Sequence, residues 1–184
     1  MPTNPIIWQV ELAEKSCHST ARYALDYAAG EGDFVSMLSK RHWAVKAVET
    51  DEEKRRQAQR RYALKPIGIE ELKVLEEMSF SMATWWNCPQ ESGAIADTLK
   101  LLKRIIVESG TVIVSAAQQE VSQEEMAAAA ASAGLGIEET IPYPTQGFLS
   151  SLKQCYYKKH LTEAPRLVYL LRRKEILDFR VLYK

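Results

Sequence analysis

Charge of one sign is the first thing this sequence lacks: 24 Lys and Arg are matched by 24 Asp and Glu. Without a net field, no long-range attraction gathers nucleic acid or an acidic membrane surface to the chain. Cysteine is scarce and scattered, at Cys17, Cys88 and Cys155. These make no CxxC pair and no Cys/His cluster at zinc-ligand spacing, so neither a disulfide framework nor a metal site is expected, only reduced thiols in a cytoplasmic protein. No apolar run approaches the ~20 residues of a membrane span. Met1-Pro2-Thr3-Asn4-Pro5 has neither the basic start nor the apolar core of a secretory signal. Histidine, the readiest base near neutral pH, occurs only as His18, His42 and His160. Internal repeats and Gly/Ser-rich linkers are missing too, so the 184 residues are expected to form one domain.

Hydrophobic residues make up 46% of the chain, enough for one buried core. Short β-type runs alternate with helical stretches, which predicts an α/β fold with a parallel, doubly wound sheet covered by helices. A leading helix is expected within residues 6–20, then a strand over Tyr23–Tyr27 stopped by a glycine loop. Phe34, Val35, Met37 and Leu38 mark a helical face, and Trp43–Val48 a second strand. Thr50-Asp51-Glu52-Glu53 reads as a capping box with Thr50 as the cap, opening a helix to Tyr62. Pro66-Ile67-Gly68-Ile69 is the weakest strand, since proline and glycine both disfavour regular pairing. Further on, Ser81–Trp86 reads as a strand. Ile95, Leu99, Leu102 and Ile106 recur at helical spacing, with Gly110 as the stop. Thr111–Ser115 is a buried strand, and Ser122 with Glu125 caps an alanine-rich helix ended by Gly134. Ile137–Ile141 and Leu167–Leu171 are late strands separated by a long irregular segment.

The chemistry concentrates at Asp26-Tyr27-Ala28-Ala29-Gly30-Glu31-Gly32, between a strand and a helix. Small residues there let the main chain approach a ligand closely. Amides at the start of the next helix point into the same crevice, which in open α/β sheets lies beyond the strand tips where strand order reverses. Glu49, seventeen residues after Gly32 and at the tip of the second strand, can accept from both hydroxyls of a ribose. A nicotinamide-binding fingerprint would put its third glycine where Val35 stands, so that reading fits poorly.

On these residues the sequence resembles the class I S-adenosylmethionine-dependent methyltransferases. Leu25–Gly32 is similar to their first motif, an acid followed by GxGxG, and Val45-Lys46-Ala47-Val48-Glu49 to their second strand and its acid. Phe80–Asn87 resembles the fourth strand, Glu108–Val114 the turn into the fifth, Ala133–Ile137 the approach to the sixth, and Arg166–Arg172 the seventh. The likeness runs from about residue 21 to 173, in the family's order. It implies a Rossmann-like doubly wound sheet, mostly parallel with an antiparallel last strand. The first 20 residues would form a leading helix or cap, 21–118 a cofactor-binding half and 119–184 an acceptor-side half. It further implies S-adenosylmethionine as cofactor, held by Asp26, Tyr27, Ala28, Gly30, Gly32, Glu49, Thr50, Trp85 and an adenine-contacting acid at Glu70 or Glu71. Asp26 would order the loop amides, the alternative being a helix-capping or buried structural acid. The first glycine of GxGxG is Ala28 here; an alanine at ordinary strand-end angles reads as a variation, not as a dead site.

Other residues divide between the site and the fold. Trp85 and Trp86 point to opposite faces if the strand continues, so at least one belongs to the core; Asn87 could orient a polar group of the substrate. The basic run Lys54–Arg61 reads as a solvated helix face. His18, His160 and Tyr143 are the candidate catalytic groups, with Tyr156 and Tyr157 in the same late segment as His160, while His42 suits a surface turn. The expected activity is in-line methyl transfer to an O, N or C acceptor, a small molecule rather than a nucleic acid. Such transfer depends on alignment more than on acid–base machinery. A non-catalytic binding or partner subunit of the same fold, or a homodimer, stays open.

Overall fold

The structure, a computed structural model, describes residues 4–88, 92–144 and 166–175. Helix α1 (Pro5–Ser16) begins with proline at a position whose N–H would have no partner, and the Asn4 side chain accepts from the Ile6 amide at 2.9 Å. There follow β1 (Tyr23–Tyr27), α2 (Asp33–Ser39), β2 (Ala44–Val48), α3 (Glu52–Tyr62), α4 (Ile69–Lys73), β3 (Phe80–Trp85), α5 (Ser92–Ile105), β4 (Ile106–Ala117), α6 (Gln123–Ser132), β5 (Leu135–Pro142) and β6 (Arg166–Arg173).

The strands form one sheet in the order β2-β1-β3-β4-β6-β5. β1 pairs in parallel with both β2 and β3, and β3 in parallel with β4. Only β6 is reversed, antiparallel to β4 and β5. This is the mostly parallel sheet with an antiparallel last strand that the sequence implied. Because the chain leaves β1 for an edge strand and returns to its other side at β3, strand order reverses at β1, and the crevice of such a sheet belongs there.

The strand alternation buries two faces. On one, Ala24, Met82, Ile113 and Val168 pack with Val10 and Ala13 of α1 and Phe34 and Leu38 of α2. On the other, Leu25, Ala83, Val112 and Tyr169 pack with Ile95, Leu99 and Leu102 of α5 and Met126 and Ala130 of α6. Among the described residues no helix is long and apolar enough to cross a membrane.

Four local expectations are corrected. Asp51, not Thr50, caps α3: its carboxylate accepts from the Glu53 and Lys54 amides at 2.9 and 3.2 Å. The strand expected at 66–69 shrinks to a single bridge between Ile67 and Val48. Pro66 has no N–H to offer, and Gly68 already serves as the N-cap of α4. Ile106 belongs to β4, and Gly110 lies within that strand instead of ending the helix. A Cβ at Gly110 would come within 2.9 Å of the Val107 carbonyl oxygen and 3.2 Å of that of Ser81, so the glycine answers a close approach of backbones. Finally, Ala28 is left-handed, with φ 56°, and not at ordinary strand-end angles. The Ser122–Glu125 box does form, in both directions. The long irregular segment falls outside the described residues, as do Cys155, Tyr156, Tyr157 and His160.

Candidate functional site

β1 ends at Tyr27, and the next five residues turn over the strand tips with alternate left-handed angles: Ala28 at 56°, Gly30 at 58° and Gly32 at 87°. A residue with a Cβ resists that conformation, so Gly30 and Gly32 suit their places while Ala28 adopts it under strain. Backbone bonds fix the turn, with the Ala29 amide on the Val48 carbonyl and the Gly32 amide on the Ala29 carbonyl, both at 3.0 Å. A Cβ at Gly30 would meet nothing within 4 Å, so the loop leaves open space at this point.

Glu49 is almost wholly buried, and its carboxylate ties the loop down. One oxygen accepts from the Gly30 amide at 2.7 Å and the other from the Asp51 amide at 2.9 Å. The acid therefore joins the glycine loop to the start of α3. Each carboxylate oxygen retains a second lone pair, so the two amides do not exhaust its capacity.

Asp26 is a buried structural acid and does not order the loop amides. Its partner is the Thr84 hydroxyl, which donates at 2.6 Å across the β1–β3 register, and no loop amide donates to it among the described residues. Burial pushes its carboxyl up to about 7; the Thr84 hydrogen bond lowers it and the nearby Glu49 charge raises it further. Asp26 is thus a buried acid held well above the usual carboxylate range beneath the loop.

Above these residues lies a small crevice of about 210 Å³, partly open to solvent. Tyr27 and Ala28 come from the end of β1, Val48 and Thr50 from the end of β2, and Trp85 and Asn87 from the end of β3; Ala94 and Thr98 close it from α5. Trp85 and Trp86 part as alternation requires. Trp86 packs against Phe34 in the α1/α2 core, while Trp85 stands edge-on to Tyr27, with ring centroids 5.4 Å apart, and lines the crevice. The Trp85 Nε1–H is buried without an acceptor. Val48, Ala94 and Thr98 were not anticipated; the small residues Ser92-Gly93-Ala94 were the available signal, since they allow a helix to open close to a ligand.

Glu70 and Glu71, the two candidate adenine acids, line none of it. Glu70 pairs with Lys73 at 2.7 Å, and Glu71 accepts from the Gly68 amide at 2.9 Å to cap α4. His18 is exposed and precedes β1, at the sheet edge opposite the crevice; its neighbours Ser16 and Cys17 contact Thr111 and Ser81 near the starts of the parallel strands. A base there is about 13 Å of strand away from the tips. His42 sits exposed in the turn before β2, as expected. Of the catalytic candidates within the described residues, only Tyr143 is at the crevice end. Burial raises its hydroxyl above the usual value. The Cys88 thiol is likewise pushed up by burial, to about 12. Among the described residues no group of three or more His, Cys, Asp or Glu could hold a metal ion.

The fold has many solved counterparts. Geranyl diphosphate C-methyltransferase from Streptomyces coelicolor, crystallised with Mg2+, geranyl diphosphate and S-adenosyl-L-homocysteine, superposes with a TM-score of 0.69 at 12% identity, over 91% of this chain and 80% of that one. A TehB-like SAM-dependent methyltransferase from Corynebacterium glutamicum gives 0.65 at 15% identity, over 90% and 87%. An S-adenosylmethionine-dependent methyltransferase from Clostridium acetobutylicum gives 0.66 at 13%, over 91% and 89%. No protein-family model and no curated protein matches the sequence.

Proposed function

We propose that the chain binds S-adenosylmethionine in the crevice at the tips of β1, β2 and β3 and transfers its methyl group to a small O, N or C acceptor. The observation that carries this reading is the convergence of Tyr27, Ala28, Thr50 and Trp85 on one crevice at the switch point of the sheet. The solved proteins of this fold include methyltransferases crystallised with S-adenosylmethionine, S-adenosylhomocysteine or sinefungin, which supports the same ligand here.

The residues present fit such a group. The flat base finds the Tyr27 and Trp85 rings at the crevice wall. The free lone pairs of Glu49 suit ribose hydroxyls, and Gly30 leaves room for close approach. When bound, the cofactor supplies an activated methyl on a cationic sulfur that leaves as a neutral thioether. The protein's own work is then orientation and the exclusion of water. Residues 21–118 form the cofactor half in this reading, and 119–184 the acceptor side.

The test is calorimetric titration and thermal unfolding with S-adenosylmethionine, S-adenosylhomocysteine, NAD and buffer. Either sulfur nucleoside at about 100 times its dissociation constant stabilises the fold by roughly 2.7 kcal/mol, and NAD does not. Ala94→Phe, which fills the crevice from an exposed position at the start of α5, removes the shift and leaves the unliganded protein as stable as before. An intact protein that ignores both sulfur nucleosides sinks the proposal. Binding without turnover would instead favour a non-catalytic subunit, a reading that the left-handed Ala28 in the crevice wall keeps in view.

A further inference from the structure

Beside the crevice, on the side away from the glycine loop, an arginine is held in place by neutral groups alone. Arg166 opens β6, level with the C-terminal end of β4 at Ala117. Its Nη1 donates to the Asn87 Oδ1 at 2.7 Å and to the Trp86 carbonyl at 3.2 Å. Its guanidinium lies 5.9 Å from the centroid of the Tyr143 ring, and the Tyr143 amide donates to the Arg166 carbonyl at 2.9 Å. Among the described residues no carboxylate pairs with it. Arg61 and Arg172, by contrast, are matched by Glu31 and Glu138.

The distribution of these bonds is informative. Both Nη1 hydrogens are spent on Asn87 and Trp86, which leaves the Nε/Nη2 edge whole. That edge is the fork that grips a carboxylate or phosphate through two parallel hydrogen bonds. Tyr143 adds a third donor: its oxygen accepts from the Gln9 Nε2 at 3.0 Å, so its own proton remains to be given. Asn87 is at once a partner of Arg166 and part of the crevice wall, so the cation borders the space where an acceptor would meet the cofactor. A partly buried cation with only neutral neighbours is costly to maintain unless a ligand completes its charge.

We infer that Arg166, aimed by Asn87 and Trp86 and assisted by the Tyr143 hydroxyl, anchors an anionic group of the acceptor, a carboxylate or a phosphate ester. The acceptor is then a small acid with its nucleophilic atom turned toward the crevice. This rests on the methyl-transfer reading for the role of the ligand, though not for its binding.

The experiment titrates benzoate, phenyl phosphate, benzyl alcohol and benzylamine into the full chain by calorimetry, with and without saturating S-adenosylhomocysteine. At least one anion binds tenfold or more tightly than the alcohol and the amine, and comparison of the two anions separates carboxylate from phosphate. Arg166→Gln weakens the anion at least tenfold and changes the S-adenosylhomocysteine affinity less than twofold. Arg166→Lys, which keeps the charge but loses the fork, falls between. Should Arg166→Gln not fold, Tyr143→Phe still removes one donor and weakens the same anion several-fold. Equal binding of the alcohol, no binding of either anion, or anion binding indifferent to these variants overturns the inference. Anion binding that depends on Arg166 in a protein blind to S-adenosylhomocysteine upholds the anchor and refutes the methyl-transfer reading alone.

Discussion

Ala28 and Asp26, two residues apart, each carry a cost that the surrounding loop sustains. At φ 56° Ala28 crowds its Cβ against its own carbonyl, which costs a non-glycine residue roughly 1–2 kcal/mol. Glycine avoids that strain but loses more entropy on folding, roughly 0.5–1 kcal/mol. Ala28→Gly is therefore expected to stabilise the protein by about 0.5–1 kcal/mol in urea denaturation and to tighten S-adenosylhomocysteine, because its methyl also narrows the crevice. A loss of stability would show that the loop is not strained there. For Asp26 the acid titrates at about 7 in the folded chain against 3.8 unfolded. A raised carboxyl contributes stability that is fully present below pH 4 and is lost as the pH rises to 7. Asp26→Asn keeps an acceptor for Thr84 and removes the ionisation. Its stability relative to the parent should thus grow by a few kcal/mol between pH 4 and 8, as measured by urea denaturation at each pH. A difference that stays flat across that range would mean Asp26 is ionised throughout. The acid and the glycine spacing were legible in the sequence, while the φ angle and the Thr84 partner were not. Both depend on where β3 lies against β1.

The elements show the same division. Thr50 and Asp51 are both cap residues by type, Asp the stronger, and the path of the chain after β2 chose between them. Glu49 accepts from the Asp51 amide, so the helix begins one residue later and Thr50 is released to the crevice. Asp51→Ala should therefore cost about 1 kcal/mol of stability with little change in ligand affinity. Thr50→Ala should do the reverse, and denaturation midpoints with calorimetric titrations on both variants decide it. The longer helices, by contrast, were readable, because the buried positions of α5 and the Ser122–Glu125 box of α6 are local patterns, whereas the five-residue α4 was missed. The third strand was not, since one bridge at Ile67 depends on a neighbour and leaves hardly any mark in the sequence.

At the scale of the whole molecule, Arg172 holds the end of the chain to its beginning. Buried at 2% exposure, it pairs with Glu138 of β5 and donates at 3.0 Å to the carbonyls of Ser109 and Ser16, the second of which also accepts from the Thr111 hydroxyl. Arg172→Leu takes a partner from Glu138 and a donor from the Ser109 carbonyl, while the Ser16 carbonyl keeps the Thr111 hydroxyl, and should cost about 3 kcal/mol. Arg172→Leu with Glu138→Leu should cost less than the single change, a comparison that thermal unfolding can make. The sequence by itself determined the alternation of strands and helices, the glycine loop and the acid seventeen residues beyond it, because these are set by residue type and spacing along the chain. Tertiary structure alone decided that Glu49 clamps the loop, that Glu70, Glu71 and His18 stand away from the crevice, that Trp85 faces it and Trp86 does not, and that Arg166 bonds to Asn87 on its wall. Each of those outcomes depends on which strand tips and helix ends meet in space, and residues far apart in sequence carry no mark of their meeting until the sheet has formed.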